Sequence, residues 1–232
     1  MEKYTYWLLL LGSLAFPLSF SFEKRISFFR TWKYLFPAIS ITALFFILWD
    51  HYFTINGVWS FNEKYITGIK IYSLPIEEIL FFIIIPYCCV FIYESLNFLI
   101  PNSISKSYIN IINLVLLLFF ISIAFTHLDK AYTFYTSFFA SIYLAIIILM
   151  KVNYMAKFYR AYIVSQIPFF IVNGLLTSLP VVMYNDSENL GIRITTIPID
   201  DTIYSFLLLL MTISLMEFFR KKQLSISFLR TK

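Results

Sequence analysis

The chain has 232 residues, of which 60% are hydrophobic and only 13% are charged. A soluble domain would have about 45–50% apolar and about 25% charged residues, so this composition excludes an ordinary soluble enzyme and indicates a protein that lies mostly in a membrane. In such a chain the net charge of +5 reports orientation across the membrane, and it is no argument for nucleic-acid binding.

Apolar stretches recur from one end of the chain to the other, and seven of them approach the length of about 20 residues that a membrane span needs. They predict an all-α, polytopic membrane protein with seven transmembrane helices and short loops. The predicted spans are Tyr4–Phe22, Tyr34–Phe53, Pro75–Leu99, Tyr108–Thr126, Tyr132–Met150, Arg160–Pro180 and Pro198–Phe219.

The basic residues fall unevenly on the two sides of this arrangement. The first span lacks an Ala-x-Ala cleavage site and is followed by Lys24 and Arg25, which indicates a retained anchor and not a cleaved signal peptide. The side that holds the C-terminus carries thirteen Lys and Arg residues, and the other side carries five. The positive-inside rule therefore predicts an external N-terminus and a cytoplasmic C-terminus.

Known cofactor and metal motifs are missing from the sequence. The only cysteines, Cys88 and Cys89, are adjacent in an apolar run, which fits neither a disulfide framework nor a zinc site. Two His and five Gly residues leave no H-E-x-x-H motif, phosphate-binding loop or dinucleotide fingerprint. We expect neither a cofactor nor a bound metal.

The chain contains an internal repeat with an offset of 123 residues. Asn62–Glu78 aligns without a gap on Asn185–Asp201, and many polar and glycine positions match in that single register. The identical residues are Asn62, Gly68, Ile69, Ile71, Pro75 and Ile76, which match Asn185, Gly191, Ile192, Ile194, Pro198 and Ile199. The same offset relates Asp50 to Asn173 and Glu94 to Glu217.

This repeat predicts the organisation of the chain. Residues 1–100 form a first three-helix repeat, residues 101–130 a linker with one transmembrane helix, and residues 131–232 a second three-helix repeat. The odd linker helix makes the two copies parallel, related by a pseudo-two-fold axis along the membrane normal. Binding sites in repeated membrane folds often lie between such copies.

Each copy has a Pro-x-acid-acid motif at the start of its last span: Glu77-Glu78 after Pro75, and Asp200-Asp201 after Pro198. Helix capping by Ser73 and Thr196, with acids favoured at the positive dipole end, is one explanation. The other is catalysis, because adjacent acids recur in both copies at the margin of the hydrocarbon, where ionisable groups are costly. Consecutive residues project about 100° apart, so one acid of each pair should face a shared cavity while the other makes hydrogen bonds.

Polar and aromatic residues near these motifs are candidates for substrate binding, although turn formation explains the asparagines equally well, and packing or a place in the interfacial belts explains the aromatic residues. The candidates are Asp50, Trp59, Asn62, Phe81, Asn173, Asn185, Asn189 and Tyr204, with Trp49 and Phe82 as further possible wall residues. For Glu94 and Glu217, near the basic side, we expect ion pairing and no catalytic role.

At these residues the sequence resembles the heterodimeric bacterial lycopene cyclases. The first subunit is similar over Trp49-Asp50, Gly57–Asn62 and Leu74–Phe82; the second is similar over Val172–Gly174, Leu179–Val182, Tyr184–Asp186, Glu188–Ile194 and Ile197–Asp201. The whole chain resembles the fused form and the cyclase half of the fungal bifunctional enzymes. The family usually has Glu-Asp where this chain has Asp200-Asp201.

The resemblance implies a function. These enzymes convert the acyclic ψ-ends of lycopene into β-rings by adding one proton and removing another, an isomerisation that needs no redox cofactor. Glu77, Glu78, Asp200 and Asp201 would be the catalytic acids, and Tyr184 joins the substrate-binding candidates. The expected setting is a bacterial cell membrane, with lycopene and lipid as the bound partners and other carotenoid enzymes as expected associates.

Three other classes of membrane protein remain open on the residues alone. Repeats with membrane acids also suit a proton-coupled transporter of a hydrophobic substrate, although glycine is scarce where the helices of a transporter would break. A retinal-type receptor would need a Schiff-base Lys, and the seventh span has none. A magnesium-dependent prenyl-processing enzyme would need a basic diphosphate site beside the acids.

Overall fold

The computed structural model describes residues 2–100 and 105–230, with side chains described except at 106 and 224–230. Within these residues there are seven α-helices: α1 (Thr5–Phe20), α2 (Trp32–Ile55), α3 (Ile76–Leu99), α4 (Lys106–Thr126), α5 (Ala131–Leu149), α6 (Met155–Ser178) and α7 (Asp200–Arg230). Short 3₁₀-helices at Glu2–Tyr4 and Phe28–Thr31 precede α1 and α2.

Six of these helices, α2 to α7, are long and apolar enough to cross a membrane. This finding confirms the predicted all-α, polytopic membrane fold. The remaining helix, α1, has 16 residues and is shorter than the predicted span Tyr4–Phe22. At about 1.5 Å per residue it is about 24 Å long, against a hydrocarbon core of about 30 Å.

The helices pack around α3 and α7, which begin with the two acidic motifs. The first of these contacts α1, α2, α6 and α7, and the second contacts α2, α3, α5 and α6. The predicted linker helix α4 lies at the edge of the bundle, chiefly against α5. The two motif-bearing helices therefore occupy the centre of the structure, where their first turns can meet.

The loops before α3 and α7 contain short strands that the sequence analysis did not predict. They are β1 (Trp59–Phe61), β2 (Lys70–Ile71), β3 (Leu74–Pro75), β4 (Val182–Tyr184), β5 (Arg193–Ile194) and β6 (Ile197–Pro198). The pairs β2–β3 and β5–β6 are antiparallel hairpins within one repeat. Each hairpin has a left-handed residue at its turn, Tyr72 (φ 55°) and Thr195 (φ 58°), again 123 positions apart.

The remaining strands, β1 and β4, pair antiparallel between the repeats. In this pair Ser60 lies opposite Met183, its own equivalent at the offset of 123, while Trp59 lies opposite Tyr184. A pseudo-two-fold axis therefore passes between Ser60 and Met183.

The helices of the two repeats are related by nearly the same offset of 123 residues. The bounds of α6 are those of α2 shifted by 123 residues. The start of α5 is that of α1 shifted by 126 residues. Two equivalent hydrogen bonds agree with this shift: the backbone N–H of Tyr6 donates to Tyr65 O, and that of Tyr132 donates to Glu188 O. These matches support the proposed division of the chain into two repeats and a linker.

At the opposite end of α3 and α7, Arg220 connects the two repeats. Its guanidinium lies 2.6 Å from Glu94 and 3.2 Å from Glu217, a pair of equivalent residues. The hydroxyl of Tyr93 donates to Glu217 at 2.9 Å. The ion pairing predicted for these two acids is present, and both lie far along their helices from the acidic motifs.

Candidate active site

The acid pairs open α3 and α7, and all four side chains are buried. Capping by Ser73 does not explain the first pair, because α3 has no side-chain cap and the Ser73 hydroxyl lies 2.7 Å from His51 Nδ1. Helical spacing turns the two acids of each pair in different directions. As a result the pairs divide into two cavity acids, Glu78 and Asp201, and two loop acids, Glu77 and Asp200.

The cavity acids line one small cavity of about 60 Å³ between the repeats. Tyr6 on α1 donates to Glu78 Oε2 at 2.5 Å. Tyr132 on α5 donates to Asp201 Oδ1 at 2.6 Å. Equivalent tyrosines of the two copies thus hold equivalent acids, and both acids face the same enclosed space.

The hydrogen bonding of the two cavity acids is unequal. Asp201 Oδ2 accepts two further hydrogen bonds, from Asn173 Nδ2 at 2.5 Å and from the hydroxyl of Tyr184 at 2.9 Å. Burial, reinforced by the nearby carboxylates of Asp201 and Glu78, raises the pKa of Tyr184 well above its usual range. Tyr184 is therefore a stable hydrogen-bond donor, and Asp201 has three donors where Glu78 has one.

The loop acids fix the segment that precedes their helix. Glu77 Oε1 accepts from both the backbone N–H and the hydroxyl of Thr67, each at 2.7 Å. Asp200 accepts from the hydroxyl of Thr133 at 2.6 Å and from the backbone N–H of Leu190 at 3.2 Å. Neither loop acid lines the cavity, so the structure favours a positioning role over the direct catalytic role predicted for Glu77 and Asp200.

Aromatic residues make up half of the residues that line the cavity. The predicted residues Trp59, Phe81 and Tyr204 all line it, with Asn173 and Tyr184. Trp59 and Tyr204 are 6.1 Å apart between ring centroids. Each of these two side chains packs against several neighbouring aromatic rings. This packing leaves little room for water beside the acids.

Three other predicted side chains are buried behind the residues that line the cavity. Asp50 is buried and accepts a hydrogen bond from the indole N–H of Trp59, so it orients a wall residue and is not itself part of the lining. Trp49 and Phe82 are buried in the core and also lie outside the lining. Their positions fit the packing role that the sequence left open.

The predicted asparagines of the loops serve turns and do not line the cavity. Asn62 Oδ1 accepts from the backbone N–H of Lys64 at 3.0 Å, and Asn185 Oδ1 accepts from that of Ser187 at 3.1 Å. Asn189 accepts from the backbone N–H of Gly191 at 2.7 Å. Their substrate-binding role is thus unsupported by position, and the turn chemistry considered from the sequence accounts for all three.

Beside Asn189, Asp186 forms an exposed ion pair with Arg193. The hydrogen bond from the Arg193 guanidinium lowers the pKa of Asp186, which therefore stays ionised and holds the loop through charge.

Tyr6 and Tyr132 also line the cavity, and neither is among the site residues predicted from the sequence. The internal repeat marks these two tyrosines only weakly, because α1 and α5 are related by an offset of 126 residues and not by the 123 that relates the other elements. Among the described residues, no cluster of three or more His, Cys, Asp or Glu side chains has an arrangement that could hold a metal ion.

The decisive comparison is with known protein families. The sequence model of the lycopene cyclase family matches residues 3–96 and 129–219. The chain belongs to the lycopene cyclase family. The two matched segments lie on either side of α4 and start and end at equivalent positions of the repeats, which supports the same division of the chain.

Two fungal proteins are similar to part of this lycopene cyclase family member. A bifunctional lycopene cyclase/phytoene synthase of Pyrenophora tritici-repentis is 38% identical over 59 residues, covering 25% of this chain and 10% of the fungal protein. One from Phycomyces blakesleeanus is 36% identical over 63 residues, covering 27% and 10%. The similarity thus spans about a tenth of these relatives. No solved structure matches the chain.

Proposed function

We propose that this protein is a lycopene β-cyclase, which converts the acyclic ψ-ends of lycopene into β-rings. The observation that carries the proposal is the meeting of Glu78 and Asp201, equivalent acids of two repeats, in one aromatic-walled cavity of a lycopene cyclase family member. The character of this cavity suits a hydrocarbon, because Glu78 and Asp201 are the only carboxyl groups among its described lining residues and the rest of the lining is largely aromatic and aliphatic.

The reaction adds one proton to the substrate and removes one proton from it. A carboxylic acid adds a proton to the terminal double bond, and the resulting cation forms a carbon–carbon bond with a neighbouring double bond. Loss of a proton from the ring cation leaves the β-ring. No electrons are gained or lost, so the product is an isomer. A pair of carboxyl groups suffices for one turnover, and the cycle is complete once the proton has passed from the acceptor carboxyl back to the donor.

The unequal hydrogen bonding assigns the two roles. Three donors, from Tyr132, Asn173 and Tyr184, stabilise the carboxylate form of Asp201. Glu78 has the single donor Tyr6, and its protonated form is correspondingly less disfavoured. We assign Glu78 as the proton donor and Asp201 as the carboxylate that stabilises the cation and takes the leaving proton.

The aromatic wall supports the cationic intermediate. The side chains of Trp59, Phe81 and Tyr204 line the cavity that holds the acids. A desolvated cation over such a face gains up to about 2 kcal/mol per ring. The same walls exclude water, which would otherwise capture the cation as an alcohol.

Expression in a lycopene-accumulating bacterial host, with pigments resolved by chromatography, tests the proposal. We expect conversion of lycopene to β-carotene or to the monocyclic γ-carotene, and the ratio of these products reports how many ends react. Asp201→Asn, which keeps the size of the side chain, should leave lycopene unconverted at equal protein level. Unconverted lycopene with the wild-type protein present in the membrane would overturn the proposal.

The orientation is a separate proposal. Because basic residues predominate on the side that holds the C-terminus, we place the acidic cavity near the outer face of a bacterial cell membrane. A reporter fused after residue 232 should be active only in the cytoplasm, and activity outside the membrane would contradict this orientation.

A further inference from the structure

A second, larger cavity adjoins the acidic cavity. It has a volume of about 340 Å³ and lies between α1, α3, α6 and α7. The two cavities share six lining residues, Phe81, Ile85, Phe169, Asn173, Ser205 and Leu208. The two cavities therefore adjoin, and the larger one reaches the residues that surround Glu78 and Asp201.

This larger cavity is a groove that opens towards the lipid between α1 and α6. Its rims are Phe16 on α1, which is 61% exposed, and the exposed Pro168 on α6. Its floor includes Ile92 on α3, fourteen positions after Glu78. At about 1.5 Å per residue the space extends about 21 Å from the acids, roughly two thirds of the hydrocarbon thickness. We call it the α1–α6 groove.

The pseudo-symmetry predicts an equivalent groove between α5 and α2, but that place is filled. At the offsets that relate the repeats, Phe139 replaces Ser13, Phe45 replaces Pro168 and Trp49 replaces Val172. The three rings contact one another, with centroids 5.5 Å apart for Phe45–Phe139 and 5.1 Å apart for Trp49–Phe139. Small residues thus keep one groove open, and aromatic residues close the other.

We propose that the α1–α6 groove is the channel through which a linear polyene enters from the bilayer and in which its chain lies while one end is cyclised. The inference rests on the proposed function, because the groove reaches the residues that surround the acids assigned above. Its apolar lining fits an extended hydrocarbon, and its opening faces the phase in which such a substrate dissolves. Since the equivalent groove is closed, both ends of a substrate must use this channel in turn.

Val172→Trp tests the channel, since it places in the open groove the residue that stands at the equivalent position of the closed one. Ile171→Trp is the matched control, because Ile171 is the neighbouring residue on α6 and is 60% exposed on the outside. With lycopene in liposomes we expect kcat/KM to fall at least tenfold for Val172→Trp and less than twofold for Ile171→Trp. Ser13→Phe, on the opposite wall, should behave as Val172→Trp does.

A short acyclic isoprenoid with the same end group provides the second readout. This short substrate occupies little of the groove, so the Val172→Trp variant should convert it at a rate within threefold of the wild-type rate. Such a rate would also show that the variant is folded. Equal loss of lycopene conversion in Val172→Trp and Ile171→Trp would overturn the channel. So would a phospholipid that stays bound in the wild-type groove throughout turnover. Wild-type protein that converts neither substrate would instead refute the proposed function.

Discussion

Replacement of Glu78 by Gln separates proton donation from every other property of the site. Gln has nearly the same shape, and its amide oxygen can still accept the hydrogen bond that Tyr6 makes to Glu78 at 2.5 Å. The cavity and the bound polyene should therefore stay in place. What is lost is the acidic proton, because an amide cannot act as a general acid at neutral pH.

The size of the effect follows from the role. General acid catalysis contributes about 10²–10⁴ in rate. At about 1.4 kcal/mol for each tenfold change, this is about 3–5 kcal/mol on the activation barrier. We expect kcat to fall by this factor, with little change in KM, because binding of a hydrocarbon depends on the apolar wall and not on the acidic proton.

The matched control is Glu77→Gln, one residue earlier. Its amide oxygen can still accept both hydrogen bonds from Thr67, so the loop should remain anchored. The assay is the initial rate of lycopene loss in liposomes that contain equal amounts of each variant. A Glu78→Gln rate above a tenth of wild type, or an equal loss in Glu77→Gln at equal protein level, would refute the division into cavity acids and loop acids.

Three further substitutions test neighbouring contacts. Tyr6→Phe removes the only hydrogen-bond donor to Glu78 among the described residues, and this donor stabilises the carboxylate that forms as Glu78 gives up its proton. Because hydrogen bonds to charged groups contribute about 1.5–3 kcal/mol, we expect a ten- to hundredfold lower kcat, with an unchanged rate as the contradicting result. Thr133→Val removes a donor to Asp200 and should lower the melting temperature in detergent, while a Thr133→Ser control, which keeps the hydroxyl, should not. Arg220→Gln leaves two half-buried carboxylates without their cation and should cost about 1–3 kcal/mol of stability, seen as reduced accumulation, while the activity per molecule stays within twofold.

The sequence predicted the membrane fold because its signals are local and strong. Apolar stretches of about 20 residues define the helices, and the ungapped match of Asn62–Glu78 with Asn185–Asp201 relates the acidic motifs. The family resemblance followed from the same residues, and the family match confirms it. These features depend on residues that are close in sequence.

The parts that depend on three-dimensional packing could not be predicted in the same way. Periodicity indicates that one acid of each pair turns inwards, but only packing shows that Glu78 and Asp201 are the two in the cavity. Tyr6 reaches Glu78 across 72 positions of sequence, and no local pattern marks such a contact. The strands β1 and β4 are three residues each, too short for alternation to indicate them.

The pairing of β1 with β4 around Ser60 and Met183 makes this chain resemble a dimer whose subunits have been joined. Two identical subunits cannot close one groove without closing the other, because every substitution appears twice. A duplicated chain escapes that restriction, and each half can diverge alone. The ring cluster of Phe45, Trp49 and Phe139 in one half and the small residues in the other are the outcome. With the channel proposed above, joining the copies gives a two-ended substrate a single entrance.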